Sequence, residues 1–276
     1  TKPDIAGMNA KEQLSKISEE AHKLVELQYD TYNRTLIPQL KTNGLHIIGG
    51  HEKLNKEQGQ FVGRYFEENV YPVLTPMAVD SSRPFPLIRN KSLNIGALLR
   101  KKKEGREDEL DFATVQVPSV LPRFVLLPKK GEIQNVILLE DIIERNIHKL
   151  FLNYDIVTAC PFRIMRNADL TIEEDEAEDL LKEIEKQIKK RQWGQAIRLE
   201  IRQGMDKKLL KLIRRELEVT NEDIYEINGP LDLTFLMKMY GLEGFEEHKN
   251  IAFTPQPVTE IAEGKSIFEC IREGDI

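Results

Sequence analysis

Nucleophiles and phosphate cradles are scarce in this chain, whereas arginine and lysine fall in patterns that suit anion chemistry. Five histidines, His22, His46, His51, His148 and His248, lie in unrelated contexts, and none forms the H-E-x-x-H or H-x-x-E-H pair that holds a metal. Each reads as a surface or loop histidine rather than a general base. The tripeptide Gly264-Lys265-Ser266 imitates the end of a phosphate-binding loop, but Thr259 stands where that loop needs its first glycine, and Glu260 and Glu263 occupy the phosphate approach. It is not read as a P-loop. The acidic run Glu173 to Asp179 opens a predicted helix, where the helix dipole explains it better than a metal ion does. Neither a catalytic set nor a metal-ligand set can be assembled from these residues.

The cations are better organised. At 100° per residue, Lys207, Lys208, Lys211, Arg214 and Arg215 share one sector of a predicted helix over Asp206 to Leu217, opposite Leu209, Leu210, Ile213 and Leu217. Such a face is either merely solvated or a surface for a polyanion or acidic partner. On the preceding strand Arg198 alternates with Ile197 and Leu199 and so projects from the polar side. Its guanidinium suits phosphate oxygens or a carboxylate equally. In PFRIMRNADL, strict alternation puts Arg166 among Phe162, Ile164, Ala168 and Leu170. Two explanations stay open: a bulge after Met165 turns Arg166 outward, or it stays inward and pairs with a buried carboxylate, the latter being favoured.

The elements that must position these residues fall into four parts. Leu14, Ile17, Ala21, Leu24, Leu27, Tyr32 and Leu36 predict a long amphipathic helix from Ala10 to about Leu40. NGLHIIGGHEKLN breaks it, and a second helix from about Asn55 to Tyr71 completes an antiparallel helical hairpin over residues 1–72. The proline-rich YPVLTPMAVDSSRPFPLIRNK reads as an extended strap at a domain boundary. Beyond it, LNIGALL, FATVQVP, RFVLLP, Asn135 to Leu139, FRIMRNADL, QAIRLEIR and DIYEIN read as strands. EDIIERNIHKLF, Ile172 to Arg191, DKKLLKLIRREL and DLTFLMKM read as helices, the second with Thr171 and Glu174 as a capping box. RKKKEGREDELD reads as a solvated hairpin tip. The fold class is α/β or α+β, with a mixed-sheet domain and flanking helices over residues 73–253, and a further strap over 254–276.

Composition bounds the remaining choices. The 276 residues are 31% charged with a net charge of −6, which gives no whole-molecule attraction to nucleic acid, so a polyanion site must be a local concentration of basic residues. Cys160 and Cys270 have no second ligand at metal spacing and read as reduced thiols. No apolar run suits a membrane span or a signal peptide, which predicts a cytoplasmic protein. The chain opens TKPD and ends EGDI just after a helical stretch, so it is expected to be an excised piece.

Several stretches carry a resemblance. RYFEENVYPVLTPMAVDSSRPFPLI, VQVPSVLPRFVLLP, FRIMRNADLTIEEDEAEDLL, AIRLEI and LDLTFLMKMYGL, in this order across residues 55–257, resemble the amino-terminal and middle, or head, domains of the type 1 bacterial polyphosphate kinases. The resemblance implies a larger enzyme that reversibly transfers the terminal phosphate of ATP to polyphosphate through a phosphohistidine, with magnesium. The nucleophile and most nucleotide ligands would lie beyond Ile276. No histidine here inherits that role, and neither ATP nor magnesium is expected to bind this portion. A homodimer or homotetramer, head-domain dimer contacts and a share in the wall of a basic polymer tunnel are implied, as is a cytoplasmic location compatible with peripheral membrane association. Arg166 and Arg198 are the polyphosphate-binding candidates on that analogy. A standalone interaction module using the helical hairpin is the alternative, and a self-contained enzyme the third choice. The sequence following Ile276 would discriminate them.

Overall fold

The computed structural model describes residues 7–79, 85–102, 110–129, 131–167, 194–256 and 265–274, with 3, 5 and 261. The predicted Ile172 helix, with its capping box and acidic run, lies outside the described residues, as does most of the polar hairpin tip. The chain divides into two compact units, Thr1–Leu233 and Thr234–Ile276.

Asn9 starts α1 (Ala10–Thr31) by reciprocal capping: its side chain accepts from the Glu12 N–H at 3.0 Å, and the Glu12 carboxylate accepts from the Asn9 N–H at 2.8 Å. A π turn at Tyr32–Leu36 carries the helix into α2 (Ile37–Thr42), and Gly44, at φ +84°, supplies the left-handed step that ends it. Next come β1 (Leu45–Ile48) and α3 (Lys56–Tyr65), which extends through a π turn, Phe66–Val70, and a 3-10 turn, Tyr71–Val73. The strands that follow are β2 (Pro76–Val79), β3 (Leu93–Lys101), β4 (Asp111–Gln116), β5 (Phe124–Leu126) and β6 (Gln134–Leu138). Then come α4 (Leu139–Asn146), β7 (Tyr154–Arg166), β8 (Ala196–Arg202), α5 (Lys207–Leu217) and β9 (Ile224–Ile227), also in the first unit. The second unit contains α6 (Phe235–Met239) and α7 (Ile267–Glu273), the latter opened by a Ser266 and Glu269 capping box.

The molecule is mixed α/β, with an N-terminal helical region and two mixed sheets. The larger sheet has the order β2-β4-β3-β7-β8-β9 and is antiparallel apart from the parallel β8–β9 pair, which α5 connects. The smaller has the order β1-β6-β5, with β1 parallel to β6. The segment predicted only to break two helices thus contains a strand: LHII is short and bounded by glycines, so its signal appears only once β6 is beside it. The proline strap likewise contains β2, which extends the β4 edge.

Strand alternation sorts the larger sheet into two faces. Phe162, Ile164, Leu199 and Ile201 are buried with Leu209, Ile213 and Leu217 of α5 in one core. Each such side chain contributes about 1.5–3 kcal/mol relative to exposure. Gly96 permits the approach, because a Cβ there would sit 3.3 Å from the rings of Phe112 and Phe162 and 3.4 Å from Ile213. Elsewhere in the unit, α4 lies against β3 and β7 and buries Leu139, Ile142 and Ile143.

One packing expectation is corrected. Leu14, Ile17, Leu24 and Leu27 of α1 are between 63% and 66% exposed, so the apolar stripe does not seat the helix. Ser18 Oγ instead donates to the Glu222 carbonyl, His22 stacks on Tyr225, the Tyr29 hydroxyl donates to the Pro230 carbonyl, and Asn33 Nδ2 donates to the Asn228 carbonyl. These positions share one helical face. The helix covers the region around an edge strand, whose outward carbonyls want donors rather than leucines.

Candidate functional site

Arg166 and Arg198 do not converge. The β7–β8 register slips between Met165 and Arg166, as a bulge there requires. The guanidinium of Arg166 nonetheless turns back to the chain, donating from Nε to the Ile88 carbonyl at 3.0 Å and from Nη1 to the Gly194 carbonyl at 2.8 Å. The favoured carboxylate partner is not found among the described residues. Two carbonyl oxygens accept from the group without neutralising it, and burial lowers its pKa from the usual arginine value.

Arg198 is held from two directions. Its Nη2 pairs with Glu200 Oε1 at 2.8 Å, and its guanidinium carbon lies 3.9 Å from the Tyr225 ring centroid. His22 stacks on the same ring at 3.9 Å, so Tyr225 is sandwiched between an arginine of β8 and a histidine of α1. Glu200 Oε2 also takes Arg163 Nη1 at 3.0 Å, and Arg163 Nε donates to the Lys91 carbonyl.

The ionic layer continues onto α4, whose first turns carry Glu140, Asp141 and Glu144. Arg123 grips Glu140 with two bonds of 2.6 Å and gives a third to the Leu231 carbonyl. Arg202 reaches Asp141 and Glu144, each at 2.6 Å. Gly50 presses against that pair: a Cβ would fall 2.8 Å from Arg202 Nη1 and 2.9 Å from Asp141 Oδ1. Three carboxylates thus share two guanidinium groups. Burial pushes the Asp141 carboxyl up to about 7, with Glu140 and Glu144 adding to the rise and Arg202 opposing it. Cys160, under Arg202, is pushed up to about 12 by burial, so its thiol is no nucleophile.

The outer side of α5 is the opposite case. Lys207, Lys208, Lys211, Arg214 and Arg215 are all exposed, as the helical rotation predicted. Asp206 caps the helix by accepting from the Lys208 and Leu209 N–H groups, and Glu218, at φ 55°, ends it. Arg214 Nε donates to the Val219 carbonyl, and among the described residues Arg215 pairs only with its neighbour Glu216. The ammonium groups of Lys207, Lys208 and Lys211 have no ion-pair partner among the described residues. Beside them is a hollow of about 570 Å³ lined by Lys208, Lys211, Leu212, Arg214, Arg215, Glu218 and Val219.

No other cluster offers better chemistry. Ser18 Oγ lies 3.4 Å from His22 Nδ1, but it donates to Glu222, and both imidazole nitrogens rest on carbonyls, those of Ser18 and Ile224. His46 bonds to Glu52, while His51 and His148 are exposed. Lys265 is tied to Glu273 and Ser266 caps α7, so neither side chain is placed for a nucleotide phosphate. Among the described residues no group of three His, Cys, Asp or Glu could hold a metal ion.

The fold and these sites define a class: an α/β module that fixes its elements by buried ion pairs and presents one helix of unneutralised cations. Residues 1–48 match the family model described as the polyphosphate kinase N-terminal domain, and residues 57–239 match the polyphosphate kinase middle domain. The chain is 45% identical over 275 residues to a polyphosphate kinase of Bacillus cereus, covering 98% of this chain and 39% of that relative. It is 44% identical over 280 residues to one of Lactiplantibacillus plantarum, covering 100% of this chain and 38% of that relative. The crystal structure of the polyphosphate kinase from Porphyromonas gingivalis shares the fold, with a TM-score of 0.72 at 22% identity over 96% of this chain and 37% of that one. This chain belongs to the polyphosphate kinase family, and it spans about two fifths of the length of these relatives.

Proposed function

We propose that the chain is the non-catalytic N-terminal and middle portion of a polyphosphate kinase. The longer protein would transfer the terminal phosphate of ATP reversibly to polyphosphate through a phosphohistidine, with magnesium, in a segment this chain does not contain. The observation that carries the reading is the pair of matches, N-terminal domain followed by middle domain, in a chain covering only 39% of a relative 45% identical to it. The division at residues 1–72, 73–253 and 254–276 belongs to the same reading, with the last part leading towards the catalytic segment in a cytoplasmic enzyme. The portion supplies subunit contacts in a homodimer or homotetramer and part of the wall along the polymer path. Arg166 and Arg198 serve that wall as supports, because the guanidinium of each is already committed to partners within the chain.

The test is a transfer assay with the purified 276-residue chain, ATP, magnesium and polyphosphate. No transfer above the protein-free blank is expected. Transfer that persists through purification and co-elutes with the chain would overturn the reading. A second reading, a free-standing interaction module, is favoured by the exposed Leu14, Ile17, Leu24 and Leu27 stripe, which is available to a protein partner.

A further inference from the structure

We propose that the outer face of α5 is a docking surface for inorganic polyphosphate, with Lys207, Lys208, Lys211 and Arg215 as its contacts and the hollow beside Leu212 and Val219 as its apolar flank. The proposal deepens the reading just given and rests on it for the identity of the polymer. The cations run from residue 207 to residue 215, about 12 Å of helix at a rise of about 1.5 Å per residue. They form a row rather than a spot, which matches a linear anion.

Availability distinguishes this row. Arg123, Arg163, Arg198 and Arg202 each hold an acid within the fold, whereas the three lysines hold none among the described residues. The pairing of Arg215 with Glu216 is exposed and yields readily to a stronger anion. Lysine ammonium groups act as point charges on flexible stems, so a polymer with no fixed contour can satisfy them in many arrangements.

The chemistry of the face selects among polyanions. Nucleic-acid grooves combine cations with aromatic rings on which bases stack, and no aromatic residue is among those lining this hollow. A membrane-seated helix inserts its apolar side, but Leu209, Ile213 and Leu217 of α5 are buried against the sheet. A chain of phosphates alone needs neither stacking rings nor an inserted apolar side, and on that ground it fits the row. Glu218, at the rim of the hollow, makes the C-terminal end of the row its weaker end.

The experiment compares polyphosphate of one defined length binding to the whole chain and to the variant Lys207→Gln/Lys208→Gln/Lys211→Gln, across a salt series. A second variant, Lys53→Gln/Lys56→Gln/Lys238→Gln, removes the same charge from exposed lysines elsewhere. The α5 variant should bind at least tenfold more weakly at low salt, and the slope of log affinity against log salt should fall by about 2, at about 0.7 per lost phosphate contact. The second variant should stay within about twofold of the parent, and unchanged thermal melts would establish that all three proteins are folded. Equal weakening in both variants, or none in the α5 variant, would overturn the surface. So would absence of binding by the parent, while leaving the transfer-assay reading intact. A single-stranded oligonucleotide with the same number of phosphates should bind more weakly than polyphosphate. If it binds as tightly and loses as much, the face is a general polyanion patch and the assignment to polyphosphate falls.

Discussion

Two neighbouring stretches of one segment, AIRLEIRQGMDKKLLKLIRREL, use positive charge in opposite ways. On β8, Arg198, Glu200 and Arg202 point away from the apolar core yet are largely buried, and each is ion-paired. On α5, a few residues later, Lys207, Lys208 and Lys211 are exposed and unpaired among the described residues. The local sequence is similarly polar in both places. The difference lies in what the fold brings up from afar: α4 delivers Asp141 and Glu144 to β8, while among the described residues the outer side of α5 receives no acid from a distant element. Charge on a strand can become internal architecture, and charge on a helix over the same sheet can remain available.

The largest effect expected from breaking this contrast is at Arg202. Arg202→Ala leaves Asp141 and Glu144 in a buried site without their cation, and should cost about 3–5 kcal/mol in urea unfolding. A loss below about 1 kcal/mol would mean that the layer is solvated and the contrast false. A smaller effect should follow pH. Asp141 rises from an ordinary value of 3.8 to about 7, so the folded chain holds this proton more tightly than the unfolded chain does. Its stabilising contribution is therefore complete below 3.8 and is lost as pH rises through about 7. Asp141→Asn should flatten the decline in melting temperature over that range; an identical pH profile for parent and variant would show that Asp141 stays ionised. The smallest effect belongs to α5, where Lys207→Gln/Lys208→Gln/Lys211→Gln should shift unfolding free energy by less than about 0.5 kcal/mol per site, as exposed substitutions usually do. A larger loss would assign those lysines to the fold.

What could be read from the sequence follows the same division. Local patterns sufficed for α5, whose cationic and apolar sides both follow from helical rotation, and for most strands of the larger sheet. They failed where the partner was remote. The acids that hold Arg202 lie in EDIIER, some sixty residues upstream, in a segment whose charges look like ordinary helix-start acids. Arg166 carried a visible anomaly, but its answer was a pair of backbone carbonyls, which every residue possesses and no sequence pattern marks. The stripe on α1 shows the reverse failure, since periodicity reports that a helix has an apolar side without saying whether this chain covers it.

The parallel pairing of β1 with β6 places Leu45 opposite Gln134, so the end of the N-terminal-domain match is woven into a sheet built by the middle domain. The family boundary is therefore not a mechanical seam. A polypeptide begun at residue 57 would leave one long side of β6 as a bare hydrogen-bonding edge and remove the helix that covers β9, two invitations to sheet-to-sheet association. During synthesis the same pairing must wait until β6 emerges, and closing so long a loop makes the N-terminal strand a late arrival in a sheet it heads.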